Sequence, residues 1–378
     1  MGPLAGVKIV EFAGIGPGPF AGMLLADLGA DVIRIDRKQP AGLGLQRPPQ
    51  YDYALRNRKT IRIDLKSGEG AKLAARLIDG ADALIEGFRP GVMERLGLGP
   101  ASSLQRNPTL IYGRITGWGQ TGPLARSVGH DLNYIALTGA LHAIGREGQS
   151  PSIPLNLIGD YAGGSLYLVI GILSALLEAK SSGKGQVVDA AIVDGVAALS
   201  TQLYGMLRAG LLNHERGTNH IDSGAHYYDV YECADGKWIS LAPVEPKFYE
   251  TMLQLLDLRI DTPQLDRTGW TQAKVRIAQR IRTKTRDEWT ALLEGTDACF
   301  APVLDFDEAT QHHHMRQRGA YVEVADELQP APAPRFSRSQ PSTPVVGEVA
   351  DTPEKVKEAL RAWLSQEELD RALRLGII

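Results

Sequence analysis

Val7-Lys8-Ile9-Val10-Glu11-Phe12, followed by Ala13-Gly14-Ile15-Gly16-Pro17-Gly18-Pro19, decides the fold class of this 378-residue chain. The first six residues read as a short buried strand and the next seven as a glycine–proline loop. A helix is expected over 20–28 and a second strand over 31–35, ending at Asp36. Strand, loop, helix and strand in that order imply a parallel α/β sheet. The outline also matches a dinucleotide fingerprint, but the third glycine falls at Pro19. Pro17 and Pro19 bring no N–H to a phosphate, so nicotinamide or flavin binding is not expected.

Outward from this unit, strands are expected over 81–86, 110–115 and 187–192, and a helix over 70–78. The residues after Asp160 are apolar nearly all round, which reads as a buried helix. Residues 196–212 read as one long connecting helix. Strands over 228–231 and 238–241 and helices over 248–256, 270–283 and 286–293 then make a smaller α+β domain. The expected division is a large α/β domain over 1–190, completed by 335–378. A connecting helix and loop follow over 191–224, then the small domain over 225–329 and a proline-rich return linker over 330–344. Thr352-Pro353 starts a helix by an N-cap with proline in the first turn, and 365–373 is a last amphipathic helix.

The length alone favours two domains. With 43% hydrophobic and 22% charged residues the composition is that of an ordinary globular protein, and a net charge of −3 gives no general attraction to nucleic acid. Cys233 and Cys299 are too few to staple such a chain, which points to a reduced, cytoplasmic compartment. Neither a signal peptide at the N-terminus nor a peroxisomal address in Gly376-Ile377-Ile378 is read. The apolar run over 166–177, interrupted by Tyr167 and Gly171, reads as too short for a membrane span.

Three features carry chemistry. Between Arg34 and Lys66 lie nine basic residues against three acids, a local balance of +6. This is either a solvated face or a cradle for a small polyphosphate. His130 follows a glycine-rich loop, Thr116-Gly117-Trp118-Gly119-Gln120-Thr121-Gly122-Pro123, at the end of a strand, where open α/β sheets bind ligands. Asp160 lies at or just before the N-terminus of the buried helix. It is either a plain N-cap or a base beside free N–H groups, at 160–164, able to receive an oxyanion. His312-His313-His314 could suggest a metal, but consecutive helical residues point about 100° apart and no nearby acid or cysteine completes a site. No metal is expected.

Several motifs together resemble the class III CoA-transferase (CaiB/BaiF) family over nearly the full length. They are Gly14-Ile15-Gly16-Pro17-Gly18-Pro19, Leu28-Gly29-Ala30-Asp31-Val32, Leu55-Arg56-Asn57-Arg58-Lys59, Glu86-Gly87-Phe88-Arg89-Pro90-Gly91, the glycine-rich loop before His130, and Gly183-Lys184-Gly185-Gln186-Val187-Val188-Asp189. Within it, Gly129-His130-Asp131-Leu132-Asn133-Tyr134 is similar to the α-methylacyl-CoA racemase branch, where the histidine is a base. Glu245 matches a glutamate that supports it. Transferase relatives share the Asp160 equivalent as a nucleophile but typically lack the histidine.

The resemblance implies a Rossmann-like large domain, a smaller domain and an interlocked homodimer in which His130 and Asp160 share a site with Glu245 of the other chain. It implies inversion at Cα of a 2-methylacyl-CoA thioester through an enolate, in fatty acid or sterol side-chain metabolism. Acyl-CoA is then the substrate, with no cofactor, nucleic acid or membrane partner. Arg37, Ile63, Asp64, Leu65, Lys66, Gly87, Phe88, Arg89 and Arg95 would hold the CoA nucleotide, with Gly129 and Leu132 also against the substrate. Asp131, Asn133, Tyr134 and Asn156 would support the catalytic pair. The alternatives are a CoA-transferase with Asp160 as covalent nucleophile, and a non-catalytic CoA-binding member. The chain departs from its relatives at His226, where proline is common, and at Pro243-Val244, where Ala-Ile is common. Both changes are expected near the acyl pocket.

Overall fold

The computed structural model describes residues 2–39, 42, 44, 45 and 47–378. They form two compact units. Unit 1 comprises Met1–Thr138, Leu155–Leu199 and Gly319–Ile378, and unit 2 comprises Gly139–Pro154 and Ser200–Arg318.

Unit 1 is built on a parallel sheet. Its strands are β1 (Lys8–Phe12), β2 (Asp31–Asp36), β3 (Lys59–Arg62), β4 (Ala83–Glu86), β5 (Ile111–Thr116) and β6 (Gln186–Ala191). With the edge strand Glu348–Val349 they make seven strands among the described residues. The order is Glu348–Val349, β3, β2, β1, β4, β5, β6. Every neighbouring pair is parallel. Ile9, Val10, Ile33, Leu84 and Ile111 are wholly buried, as expected of strands covered on both faces. The order reverses direction between β1 and β4, and such switch points are where open α/β sheets take ligands.

Helix α1 (Pro17–Asp27) starts with proline in its first turn. Helix α2 (Gly68–Asp79) starts at Ser67, whose hydroxyl accepts the Gly70 N–H at 3.0 Å. Its Leu73, Leu77 and Ile78 enter the core, each contributing about 1.5–3 kcal/mol of burial. The short helix α3 (Asp131–Leu137) follows His130. A π-helix, Leu157–Leu166, runs directly into α4 (Tyr167–Ser182), which stops at Gly183 with φ +70°. Helix α5 (Ile192–Leu199) closes the unit's second face.

Tyr167 and Gly171 do not interrupt the apolar run. The helical stretch Leu157–Ser182 has 26 residues and is long and apolar enough to span a membrane by those measures alone. Its inner positions Leu168, Val169, Ile172 and Ala175 pack with Ile111, Ile115 and Ala190 of the sheet.

Unit 2 holds an antiparallel sheet of β7 (Asp229–Glu232), β8 (Trp238–Leu241) and β9 (Phe300–Pro302). After α6 (Thr201–Arg208), the helices α7 (Pro246–Leu255), α8 (Trp270–Ile281) and α9 (Arg286–Leu293) pack with it. Tyr231, Ile239, Met252, Trp270, Ile277 and Trp289 form its core.

The sequence boundaries need four corrections. The expected helix over 196–212 is two helices, broken at Ser200, and the unit boundary falls at that break. Residues 139–154 belong with unit 2. The region over 321–330, read as part of the small domain, is a strand pair, Tyr321–Val324 with Glu327–Pro330, that belongs to unit 1. The strand β3 was not expected, because Lys59-Thr60-Ile61-Arg62 carries only two inward residues between two charges.

Candidate active site

The loops at the carboxyl ends of β1–β5 lie along one edge of the sheet, and Arg37, Ile63, Asp64, Leu65, Lys66, Gly87, Phe88, Arg89, Gly129 and His130 fall on them. Gly16 ends the loop after β1, with φ +68°. Its missing Cβ would stand 2.9 Å from the Asp160 Oδ2 atom, so the Asp160 carboxylate lies directly against this loop. Sequence reading quoted Gly16 only as part of a motif, because neither pattern nor spacing shows that a residue far along the chain will lean on it.

Asp160 does not cap the buried helix. That helix begins three residues earlier as a π-helix, with Asp160 in its first turn. Glycines permit the wider coil to be packed closely. A Cβ on Gly195 of α5 would sit 1.9 Å from the Gly163 carbonyl oxygen, and one on Gly164 would press on Ile192 and Pro17. π-segments are common at functional positions.

The N–H of Asp160 donates to Asp131 Oδ2 at 2.6 Å. Asp131 also accepts from Gly159, and the Tyr161 N–H donates to the Asn156 carbonyl at 3.3 Å. Beyond these, the π-helix pairs its own N–H groups. The expected oxyanion donors at 160–164 are therefore engaged, and this reading is corrected. A donor that remains beside the carboxylate is the Asn156 side-chain amide, 3.5 Å from Asp160 Oδ2.

His130 is exposed and immediately precedes α3. Its N–H donates to Asn133 Oδ1 at 3.0 Å, which fixes the turn. Tyr134 donates its hydroxyl to the Gly129 carbonyl and sets its ring edge-on to Trp118 at 4.8 Å. A Cβ on Gly117 would meet that ring at 2.0 Å, and one on Gly129 at 2.8 Å, which explains why glycines flank it. Asn133, Tyr134 and Gly129 thus shape the turn that presents His130. Leu132 is exposed beside them.

Electrostatics single out Asp160. Burial, and next the charge of Asp131, push its carboxyl up to about 6, while the Asn156 amide and His130 pull the other way. Burial also raises Asp131, against the two N–H groups it accepts, and Tyr134 is pushed up to about 12 by burial and both carboxylates. His130 acts on Asp160 only through space, as the weakest of these four influences on its carboxyl. A carboxyl that titrates near neutrality can exchange protons in either direction.

The residues expected to hold CoA lie on the same edge. Arg37 follows β2, its N–H on Asp36 Oδ1 at 2.7 Å and its side chain exposed. Ile63 is buried at the end of β3, Leu65 is half-buried, and Asp64 Oδ1 accepts the Lys66 N–H at 3.0 Å while Lys66 reaches solvent. Gly87, Phe88 and Arg89 follow β4, with the Phe88 N–H on Glu86 Oε2 at 2.7 Å. Arg95 folds its guanidinium to within 3.2 Å of where a Cβ on Gly91 would stand.

The basic cluster is only partly a cradle or a solvated face. Arg34, Arg56 and Arg58 are buried in ion pairs. Arg58 and Arg34 face Glu11, which is 0% exposed on β1, and Arg56 faces Asp27. Arg34 on β2 and Arg58 just before β3 are held to Glu11 of β1, Arg56 ties its loop to α1, and Arg37, Lys38, Arg47, Arg62 and Lys66 remain exposed.

Glu245 lies in unit 2, exposed at the start of α7, its carbonyl accepting the Tyr249 N–H at 3.0 Å. His226 is buried, 1% exposed in the core of unit 2, its Nε2 2.7 Å from the Tyr249 hydroxyl. Pro243 is buried, its carbonyl accepting from Gln264 at 3.0 Å, and Val244 is exposed beside Glu245.

Unit 1 thus combines a parallel sheet with His130, Asp160 and exposed basic residues such as Arg37 and Lys66. The chain belongs to CoA-transferase family III, which it matches over residues 4–373. It is 41% identical to the α-methylacyl-CoA racemase of Mus musculus, covering 97% of this chain and 95% of that one. It is 42% identical to the racemase of the same name from Homo sapiens, covering 88% and 86%. In three dimensions it is similar to a CAIB/BAIF family protein from Brucella suis, with a TM-score of 0.82 at 27% identity over 96% and 100% of the two chains.

Proposed function

We propose that the protein is an isomerase that inverts Cα of a 2-methylacyl-CoA thioester by moving one proton off one face and another onto the opposite face. The observation that carries this is the Asp160 carboxyl, pushed up to about 6 with His130 among the groups that act on it. The α-proton of a thioester is weakly acidic, and its removal leaves a planar enolate with charge on the thioester oxygen. Inversion needs a base on each side of that plane, one free and one protonated. A carboxyl near 6 can take up or release a proton close to neutral pH, and the His130 imidazole is the second group able to carry one. The two-base chemistry itself calls on no redox or group-carrying cofactor.

Asn156 Nδ2, held only loosely on Asp160, is the donor for the enolate oxygen. Arg37, Lys66, Arg89 and Arg95 take the nucleotide phosphates through charge-assisted hydrogen bonds. Glu245, supplied by a second copy of the chain, orients His130 and stabilises its imidazolium. The homodimer is supported by the apolar residues that unit 1 leaves exposed, including Leu137, Leu157, Leu166, Ile170 and Leu177. The two free cysteines fit a reduced cytoplasmic setting.

The test is α-proton exchange in D₂O with (S)- and (R)-2-methylacyl-CoA, using wild type, His130→Ala and Asp160→Ala. Deuterium is followed by NMR and enantiomer ratio by chiral chromatography. Wild type is expected to exchange and invert both enantiomers, and each variant to lose inversion. Transfer of CoA to an added carboxylate without exchange, abolished only by Asp160→Ala, would replace this reading with a transferase.

A further inference from the structure

His312, His313 and His314 do not share one helix. The helix Phe306–Gln311 ends before His312, and a second short helix, His313–Gln317, begins after it. His312 at the junction has φ −60° and ψ 129°, an extended backbone, so successive side chains need not diverge by a helical step. The rings of His312 and His313 lie side by side, 4.8 Å between centroids and 33° between planes.

Both rings face Glu294, the residue that ends α9. His312 Nε2 stands 2.8 Å from Glu294 Oε1, and His313 Nδ1 stands 3.7 Å from Oε2. The sequence expectation that no acid completes a set with these histidines is therefore corrected, since the fold supplies Glu294. Among the described residues, Glu294 has no Lys or Arg within ion-pair distance.

We propose that Glu294, His312 and His313 form a binding site for a divalent transition metal of the zinc class. Their donor atoms all lie within 4.8 Å of one another. A zinc ion holds imidazole nitrogen and carboxylate oxygen at about 2.0–2.2 Å in a tetrahedron, so its donors stand about 3.5 Å apart. The His313 side chain, 67% exposed, is free to close the remaining gap by a small rotation. Two imidazoles with one carboxylate favour zinc, nickel or copper over calcium or magnesium, which prefer all-oxygen sets. Water completes the coordination, and the ion ties the junction at His312 to the end of α9. The site uses none of the residues assigned to acyl-CoA, so its test does not depend on that assignment.

The experiment titrates ZnCl₂ into untagged, EDTA-stripped full-length protein by calorimetry, with Co(II) absorption as a second readout of the ligand set. One equivalent is expected to bind at pH 7.5, with affinity falling at pH 5.5 as protons compete for the imidazoles. His312→Ala, His313→Ala and Glu294→Gln are each expected to weaken binding by about tenfold or more. Circular dichroism checks that the variants stay folded. Cys299→Ser is expected to change nothing. Absence of stoichiometric binding, binding retained in the double histidine variant, or binding lost in Cys299→Ser each overturns the proposal.

Discussion

The electrostatics of Asp160 make a quantitative demand on the pH dependence of catalysis. If Asp160 and His130 are the two bases, inversion needs one of them free, so the rate falls as both become protonated. With the Asp160 carboxyl at about 6, kcat/KM for inversion should bend downward near that pH. One unit lower, about nine molecules in ten hold the extra proton, and the rate stands at about a tenth of its plateau. The limb must be the same for both enantiomers, because the ratio of their kcat/KM values is an equilibrium constant that involves no proton. Two neighbours should move it in opposite directions. Asp131→Asn removes a negative charge that raises Asp160, yet its amide oxygen can still accept the Asp160 N–H now donated at 2.6 Å. Losing that charge should move the limb down toward the ordinary carboxylate range. Asn156→Ala removes an amide that lowers Asp160. Because that contact is 3.5 Å long, the limb should rise by only a few tenths of a unit. The assay is initial-rate deuterium incorporation between pH 4 and 8, with a thermal melt on each variant. A wild-type limb near the ordinary Asp value, or both variants shifting the same way, would refute the assignment of Asp160 as one of the two bases.

Other outcomes follow from single contacts. Burial depresses His226 from 6.5 to about 4, so the folded protein binds fewer protons there than the unfolded chain between those values. Its contribution to stability is then present above pH 6.5 and lost as pH falls toward 4, by about 3 kcal/mol at most, and the loss should vanish in urea melts of His226→Phe. Gly16→Ala adds a Cβ at a backbone φ of +68° and 2.9 Å from the Asp160 carboxylate. Inversion should fall about tenfold or more, with the global melting temperature changing by no more than a few degrees. Gly195→Ala places a Cβ 1.9 Å from the Gly163 carbonyl and should destabilise the protein by about 2–4 kcal/mol in urea titration, since neither backbone can yield alone.

Periodicity and punctuation carried much of unit 1. The strands β1, β2, β4, β5 and β6 stand within two residues of their expected places. Strands β1, β2, β4 and β5 are buried along most of their length, as parallel strands covered on both faces are, while the edge strand β6 shows only Val187 and Val188 between polar residues. Strand β3 escaped notice because only Thr60 and Ile61 point inward between Lys59 and Arg62. The excess of positive charge over 34–66 was visible, but its division was not. Composition cannot separate Arg58, sealed against Glu11, from Arg37, open to solvent.

The chain's order of residues determined the α/β class, the helix stops at Gly80 and Gly183, and the residue types able to move protons at His130 and Asp160. These are local properties, set by side-chain pattern and backbone freedom within a few residues. Tertiary structure alone decided that Asp160 sits inside a π-turn against Gly16, that Asp131 takes the Asp160 N–H, and that Glu294 meets His312 and His313. Each of these depends on groups distant in sequence becoming neighbours. A carboxyl's affinity for its proton is set by the charges and water around it, and those are assembled only when the chain folds.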